Sequence, residues 1–189
     1  MNHKTPGQSN DRGSPEPARF SRRTFLTAVG VTSIGALAGC LGGSDSTANF
    51  GAGDDAERFR NAAASSLDTA TLYKAPNCSC CLEYTKYLET ATDSSVEVVE
   101  ASDLAKTKEK YNVPRDVESC HTMDIGDYYV EGHVPLEAIG KLAEEKPDIA
   151  GIALPGMPRG SPGMPGEKAE EFVIYAASAD GSYREFMQL

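Results

Sequence analysis

The chain has 189 residues, 40% of them hydrophobic, and this length suits one compact domain with shorter appended segments. Its formal net charge is -10, although the first 39 residues carry more basic than acidic side chains, so the remainder is strongly acidic. An acidic surface repels phosphate backbones, which argues against a nucleic-acid-binding function.

The first 39 residues have the order of an export signal. Arg22 and Arg23 lie in the sequence S-R-R-T-F-L, which resembles a twin-arginine signal, and a moderately apolar stretch from Thr24 to Gly39 follows. That stretch is shorter than the roughly 18 to 20 apolar residues of a membrane-spanning helix. We therefore expect residues 1–39 to be a twin-arginine signal peptide.

Cys40 follows the sequence L-A-G, and the four residues together resemble a lipobox. In such a sequence the cysteine is alkylated with diacylglycerol and becomes the first residue of the mature protein. We expect Cys40 to anchor the protein to the outer face of the cell membrane; an ordinary signal peptide ending near a cysteine is the alternative. Residues 40–66 are rich in Gly, Ser, Asp and Ala and are predicted to be a flexible tether, although residues 54–64 are compatible with a short helix.

Residues 67–189 are predicted to form one domain in which strands and helices alternate. Periods of two and of about 3.6 residues, together with turn residues, define the segments. The predicted elements are strands at 71–74 and 96–100, helices at 82–93 and 104–111, a hairpin of 121–125 and 128–131, a helix at 135–145, and a hairpin of 172–176 and 183–187. This is the order of a thioredoxin-like α/β fold, with a mixed central sheet and flanking helices.

Three cysteines, Cys78, Cys80 and Cys81, lie just before the first predicted helix of this domain. The unpaired amide groups and the dipole at a helix N-terminus favour thiolates, which act both as nucleophiles and as ligands of soft metals. Cys78 and Cys81 alone would make a C-x-x-C redox pair. Cys80 is surplus to that chemistry but useful if the thiolates share metal ions, so the pattern favours metal binding.

Cys120 precedes the third predicted strand, where a thioredoxin-like fold returns the chain to the helix that carries the active-site cysteines. Four thiolates would hold Zn(II), but thiolates combined with thioethers favour Cu(I), and methionines lie in segments able to approach the site. Two disulfides in an exported domain are the alternative. The candidate further ligands are His121, His133, Met123, Met157 and Met164.

Residues 151–166 contain two P-G-M sequences and lack the periodicity of a helix or strand. We expect a long loop that carries Met157 and Met164 over the site as a lid. An inert surface loop is the alternative.

The chain contains, in this order, the motifs YKAPNCSCC, VPRDVESCHT, EGHVP and GIALPGMPRGSPGM. Together they resemble the CopG-like copper-resistance and metal-binding family, also known as domain of unknown function 411. The resemblance covers about residues 71–189 and implies a thioredoxin-like fold. It also implies that copper is held through bridging thiolates, which correspond here to Cys78, Cys80, Cys81 and Cys120. Family members commonly have Gly where this chain has Ser79.

The predicted function is therefore that of an exported, membrane-anchored protein that binds Cu(I) in copper resistance or copper trafficking. Its expected partners are copper ions and copper-handling or redox proteins. The alternative is a thiol-disulfide oxidoreductase in which Cys78 attacks a substrate disulfide and Cys81 resolves the mixed disulfide. The sequence leaves open whether the protein is an enzyme.

Overall fold

The computed structural model describes residues 54–189, which form a mixed sheet of seven strands with four α-helices. This confirms the α/β class predicted from the sequence. The helices are α1 (Asp54–Leu67), α2 (Ser79–Thr92), α3 (Leu104–Lys110) and α4 (Leu136–Glu145). The strands are β1 (Thr71–Lys74), β2 (Glu97–Glu100), β3 (His121–Asp124), β4 (Tyr129–Glu131), β5 (Gly151–Ala153), β6 (Val173–Ala177) and β7 (Tyr183–Gln188).

The strands of the sheet lie in the order β2-β1-β3-β4-β5-β6-β7. Strand β1 is parallel to β2, and β4 is parallel to β5, whereas the other neighbours are antiparallel. Lys74 at the end of β1 pairs with His121 at the start of β3. Thr122 pairs with Glu131 at the end of β4. The segments that follow β1, precede β3 and follow β4 therefore leave the sheet at the same end.

The main apolar core contains residues of α1, α2, α4 and the sheet. Its largest fully buried members include Tyr84 and Leu88 of α2 and Ile139 of α4. Their spacing along each helix places them on one face, which is the face that an amphipathic helix buries. Helix α3 contacts β1 and β3.

Helix α1 lies where the sequence predicts the end of a flexible tether. Phe59, Ala63 and Leu67 recur every four residues, and the last two are fully buried. Gly140 of α4 packs directly on the backbone of Phe59, because no side chain there separates the two helices. The described fold therefore includes α1 (Asp54–Leu67), which packs on α4 ahead of the predicted domain of residues 67–189.

Strand β5 lies within the predicted loop of residues 151–166. The loop prediction is therefore wrong for its first three residues. The strand pairs in parallel with β4 and antiparallel with β6. Three residues are too few to show a strand period, and all three are buried. At Gly151 a Cβ atom would collide with Tyr129 of β4, so glycine here permits close strand packing rather than a turn.

Within residues 54–189, no helix is both long and apolar enough to cross a membrane. The predicted signal residues Arg22 and Arg23 and the predicted lipidation site Cys40 lie outside the described residues. Those expectations remain predictions.

Candidate metal centre

The cysteine turn connects β1 to α2. Pro76 and Asn77 follow the end of β1, and the Cys78 amide donates to the carbonyl of Ala75 at 3.1 Å, which closes a turn. Cys78 is the N-cap residue of α2, with extended backbone angles (φ -82°, ψ 93°). Because the helix begins at Ser79, three residues before its predicted start, Cys80 and Cys81 lie in its first turn.

The structure brings the four predicted cysteines together. Their sulfur atoms all lie within 4.8 Å of one another. Cys80 Sγ is 3.5 Å from Cys78 Sγ, and Cys81 Sγ is 3.8 Å from Cys120 Sγ. Cys81 is fully buried, while the other three are partly accessible. The cluster is therefore supported by the core on one side and open on the other.

Cys78 and Cys81 are joined by a disulfide, and Cys80 and Cys120 are free. A disulfide sulfur carries no negative charge and is a far poorer metal ligand than a thiolate. Binding of a metal by all four thiolates therefore requires two-electron reduction of this bond first.

Cys120 also belongs to a second donor group, formed with His121 and His133. Its sulfur lies 3.3 Å from His121 Nδ1 and 3.1 Å from His133 Nε2. His133 Nδ1 lies 2.6 Å from the carbonyl oxygen of Pro162, which only accepts hydrogen bonds. Nδ1 is therefore the protonated nitrogen of a neutral His133, and its Nε2 lone pair is directed at Cys120.

Burial sets the protonation of this second group. Together with the neighbouring Cys80, it raises the pKa of Cys120 to about 12, and burial is the larger cause. Burial also lowers the pKa of His133, and it lowers that of His121 strongly, with His133 and then Lys108 adding to the effect on His121. At neutral pH the metal-free group is thus a thiol with two neutral imidazoles, and a bound metal would displace the thiol proton.

The donor chemistry of both groups fits a soft or borderline metal ion. One group offers four sulfur atoms, the other one sulfur and two imidazole nitrogens, and neither includes a carboxylate. Sulfur donors select Cu(I) and Zn(II), imidazole suits copper and zinc, and hard cations such as Mg(II) require oxygen. His121 Nε2, on the far side of its ring, is fully buried and has no hydrogen-bond partner among residues 54–189.

The three candidate methionines lie in different environments. Met123 is fully buried in the apolar core, two residues along β3 from His121. Met157 is exposed and has a left-handed backbone (φ 47°). Met164 is half-buried, and its amide donates to the Ser161 carbonyl at 2.8 Å.

The Pro-Gly loop (residues 154–166) lies against the first turns of α2. At Gly163 an added Cβ atom would lie 2.5 Å from the backbone nitrogen of Tyr84. The neighbouring Pro162 accepts the hydrogen bond from His133. The loop thus contacts the centre through its backbone, which the sequence prediction of a methionine-bearing lid did not include.

Tyr84 is a residue of the centre that sequence reasoning assigned only to the apolar stripe of α2. Its ring centroid lies 4.9 Å from that of His121 and 5.2 Å from that of His133. Its hydroxyl donates to the Val134 carbonyl at 2.8 Å. Tyr84 therefore packs against both imidazoles and links α2 to the segment after β4. The stripe indicated burial, but nothing in it indicated the histidine contacts.

Comparisons with known proteins identify a related family and related solved structures. A family model described as a protein of unknown function, DUF411, matches residues 117–164. Two solved structures are titled copper resistance protein CopG, forms 2 and 1, and each is 34% identical to this chain with a TM-score of 0.59. Each match covers 64% of this chain and 97% or 96% of the solved chain. No curated protein matches the chain.

The matched segment 117–164 contains Cys120, His121, His133 and the Pro-Gly loop almost entirely. The solved relatives are matched over nearly their whole length at an identity well above chance. The chain therefore belongs to the CopG-like copper-resistance family.

Proposed function

We propose that the protein binds Cu(I) through the thiolates of Cys78, Cys80, Cys81 and Cys120 and acts in copper resistance or copper trafficking. The observation that carries this proposal is the convergence of four sulfur atoms within 4.8 Å of one another. An isolated redox pair would need only two of them. Four sulfurs at this separation are close enough for thiolates to share metal ions.

Copper is preferred over zinc for two reasons. Sulfur ligands in general bind both Cu(I) and Zn(II), but thiolates combined with a thioether favour Cu(I), and Met164 lies on the loop that packs against α2. The solved relatives are titled copper resistance proteins, which supports the same metal.

His121 and His133 are proposed as nitrogen donors beside Cys120. Both rings direct a nitrogen at its sulfur at 3.1–3.3 Å. Cys120 is the member common to both donor groups. We assign it the role of a bridging thiolate between a sulfur-rich and a nitrogen-containing part of the centre.

The first part of the domain is proposed to have a thioredoxin-like core. Its support is the order β1-α2-β2-α3-β3-β4-α4, with spatial strand order β2-β1-β3-β4 and β3 antiparallel to both neighbours. In such a core, the cysteine turn at the N-terminus of α2 would correspond to the active-site position. Strands β5 to β7 and helix α1 extend this core.

Export and anchoring are part of the same proposal. The twin-arginine sequence at Arg22 and Arg23 and the lipobox at Cys40 support a location at the outer face of the cell membrane. The chain has five cysteines, so lipidation of Cys40 leaves the other four for the metal centre.

A thiol-disulfide oxidoreductase is the second candidate, and the Cys78–Cys81 disulfide favours it. In that reaction the Cys78 thiolate attacks a substrate disulfide and releases one substrate thiol. Cys81 then attacks the mixed disulfide, releasing the second thiol and forming the Cys78–Cys81 bond, so two electrons pass from protein to substrate.

Metal retention tests the main proposal. The full chain, reduced and purified without oxygen, is offered Cu(I) and Zn(II) together and then freed of unbound metal. Elemental analysis should find retained copper in excess of zinc. A Cys40→Ser variant is the matched control, because it removes the cysteine outside the centre and should retain the same copper. A chain that retains neither metal would contradict the proposal, and one that retains zinc alone would contradict copper as its metal.

A further inference from the structure

A buried charged network lies beside the metal centre, on the other side of strand β3. Side chains alternate along a strand, so Thr122 points away from its neighbours His121 and Met123. Thr122 instead contacts Lys108 of α3, with 3.3 Å between its hydroxyl and the lysine Nζ. Opposite Thr122, the carboxylate of Glu131 joins the same network.

Glu131 is fully buried and uses both carboxylate oxygens. One oxygen accepts from Lys108 Nζ and from the backbone amide of Ser119, the latter at 2.5 Å. The other accepts from the Thr122 hydroxyl at 2.6 Å. Lys108 is itself only 5% exposed, so the charge of the carboxylate is compensated by a buried ammonium group.

These contacts fix the backbone on both sides of the second donor group. Ser119 directly precedes Cys120, and its amide is held by Glu131. Glu131 is also separated from His133 only by Gly132, whose amide donates to the His121 carbonyl at 3.0 Å. A side chain at Gly132 would collide with Ser119. The carboxylate therefore ties the segment that carries Cys120 to the strand that presents His133.

We propose that Glu131, neutralised by Lys108, is a positioning residue that holds Cys120 at the distance from His133 that metal binding requires. This inference rests on the proposed function and adds a residue that the sequence motifs left without a role. Partners that orient metal ligands typically change affinity by roughly 10–100-fold when they are removed. Glu131 acts in this way through the Ser119 amide and touches no donor atom itself.

A merely structural role makes a different prediction. A buried ion pair replaced by apolar side chains of similar size often leaves stability unchanged, whereas removal of one partner leaves an uncompensated buried charge. Stability and metal affinity can therefore be separated by two variants. Lys108→Met/Glu131→Leu removes both charges and the acceptor of the Ser119 amide. Glu131→Gln removes the charge but keeps an oxygen that can accept from that amide.

The experiment uses the full reduced chain and three measurements. Cu(I) affinity is measured by competition with a coloured Cu(I) chelator, stability by the denaturant midpoint of the metal-free chain, and the Ser119 amide by hydrogen exchange without metal. Glu145→Gln is the matched control, because it makes the same change in the exposed Lys141–Glu145 pair. It should leave all three readings unchanged.

We expect the two variants to have opposite orders in stability and in Cu(I) affinity. The double variant should unfold at a higher denaturant concentration than Glu131→Gln, yet bind Cu(I) at least about tenfold more weakly than the parent. It should also lose protection of the Ser119 amide. Glu131→Gln should bind more tightly than the double variant despite its lower stability.

Different results would overturn the positioning role of Glu131 and the proposed function. Cu(I) affinity that follows stability across the variants, or a double variant that binds as tightly as the parent, would overturn the positioning role. A parent chain that retains no Cu(I) would instead overturn the proposed function, and with it the metal-related part of this inference.

Discussion

At the scale of single residues, Cys120 is where the two donor groups meet. Its sulfur lies 3.8 Å from Cys81 Sγ and 3.1 Å from His133 Nε2. With a pKa raised to about 12 by burial, it holds its proton at neutral pH in the metal-free protein. Metal binding must therefore release this proton, so a soft ion that bonds strongly to sulfur is favoured.

Cys80 separates the two candidate functions. In a Cys80→Ser variant we expect Cu(I) affinity to fall by at least about tenfold, because one of four closely spaced thiolates is lost. Reduction of a model disulfide through Cys78 and Cys81 would be unaffected by this change. The measurement is Cu(I) competition with a chelator, alongside disulfide turnover on the same sample.

Ser79→Ala is the control for this variant. Ser79 is an exposed neighbour in the first turn of the same helix, so any general effect of mutating the turn would appear there too. Unchanged copper affinity in Cys80→Ser, together with normal disulfide turnover, would favour the oxidoreductase instead.

At the scale of elements, the contact between the Pro-Gly loop and α2 supports one side of the centre. Gly163 has a left-handed backbone (φ +75°) and leaves no space for a side chain against Tyr84. Gly156 in the same loop has nearly the same angle (φ +78°), but a Cβ atom there would meet nothing within 4 Å. These two positions separate backbone strain from packing.

Alanine substitutions at the two glycines should therefore differ. Gly156→Ala should cost about 1 kcal/mol of unfolding free energy, the usual penalty for a left-handed L-residue. Gly163→Ala should cost at least about 1 kcal/mol more, because its new Cβ meets backbone rather than a movable side chain. Denaturant unfolding measures both. Equal costs would mean that the loop does not rest on α2 as described.

The predictable elements are those whose residues show a pattern within their own length. The hairpin of β3 and β4 is evident in the sequence, because its two short segments flank a turn, and the two strands pair as predicted. Strand β5 is not evident in the sequence, because its three buried residues show no period. Helix α1 lies in the predicted tether, of which the sequence allows a short helix at residues 54–64, and its burial depends on packing against α4.

The same distinction applies to the metal centre. The spacing of Cys78, Cys80 and Cys81 indicated a cluster, and strand order indicated that Cys120 would join it. The spacing could not indicate which thiols form a disulfide, because C-x-C-C allows several pairings. The contacts of His133 with Pro162 and of Glu131 with Ser119 connect distant segments, so no local pattern predicts them.

At the scale of the whole molecule, oxidation state determines which ligands the protein offers. With Cys78 and Cys81 in a disulfide, the free donors are Cys80, Cys120 and the two histidines. After reduction, all four sulfur atoms are available at the same end of the sheet. Membership in the CopG-like copper-resistance family supports the proposal that copper is the metal bound in either state.

The most direct test of copper binding by the cysteine cluster is X-ray absorption at the copper edge of the reduced, Cu(I)-loaded full chain. We predict a first coordination shell dominated by sulfur. A variant with all four cluster cysteines changed to serine should lose the bound copper. A first shell of nitrogen and oxygen alone, or copper retained by the serine variant, would contradict the account.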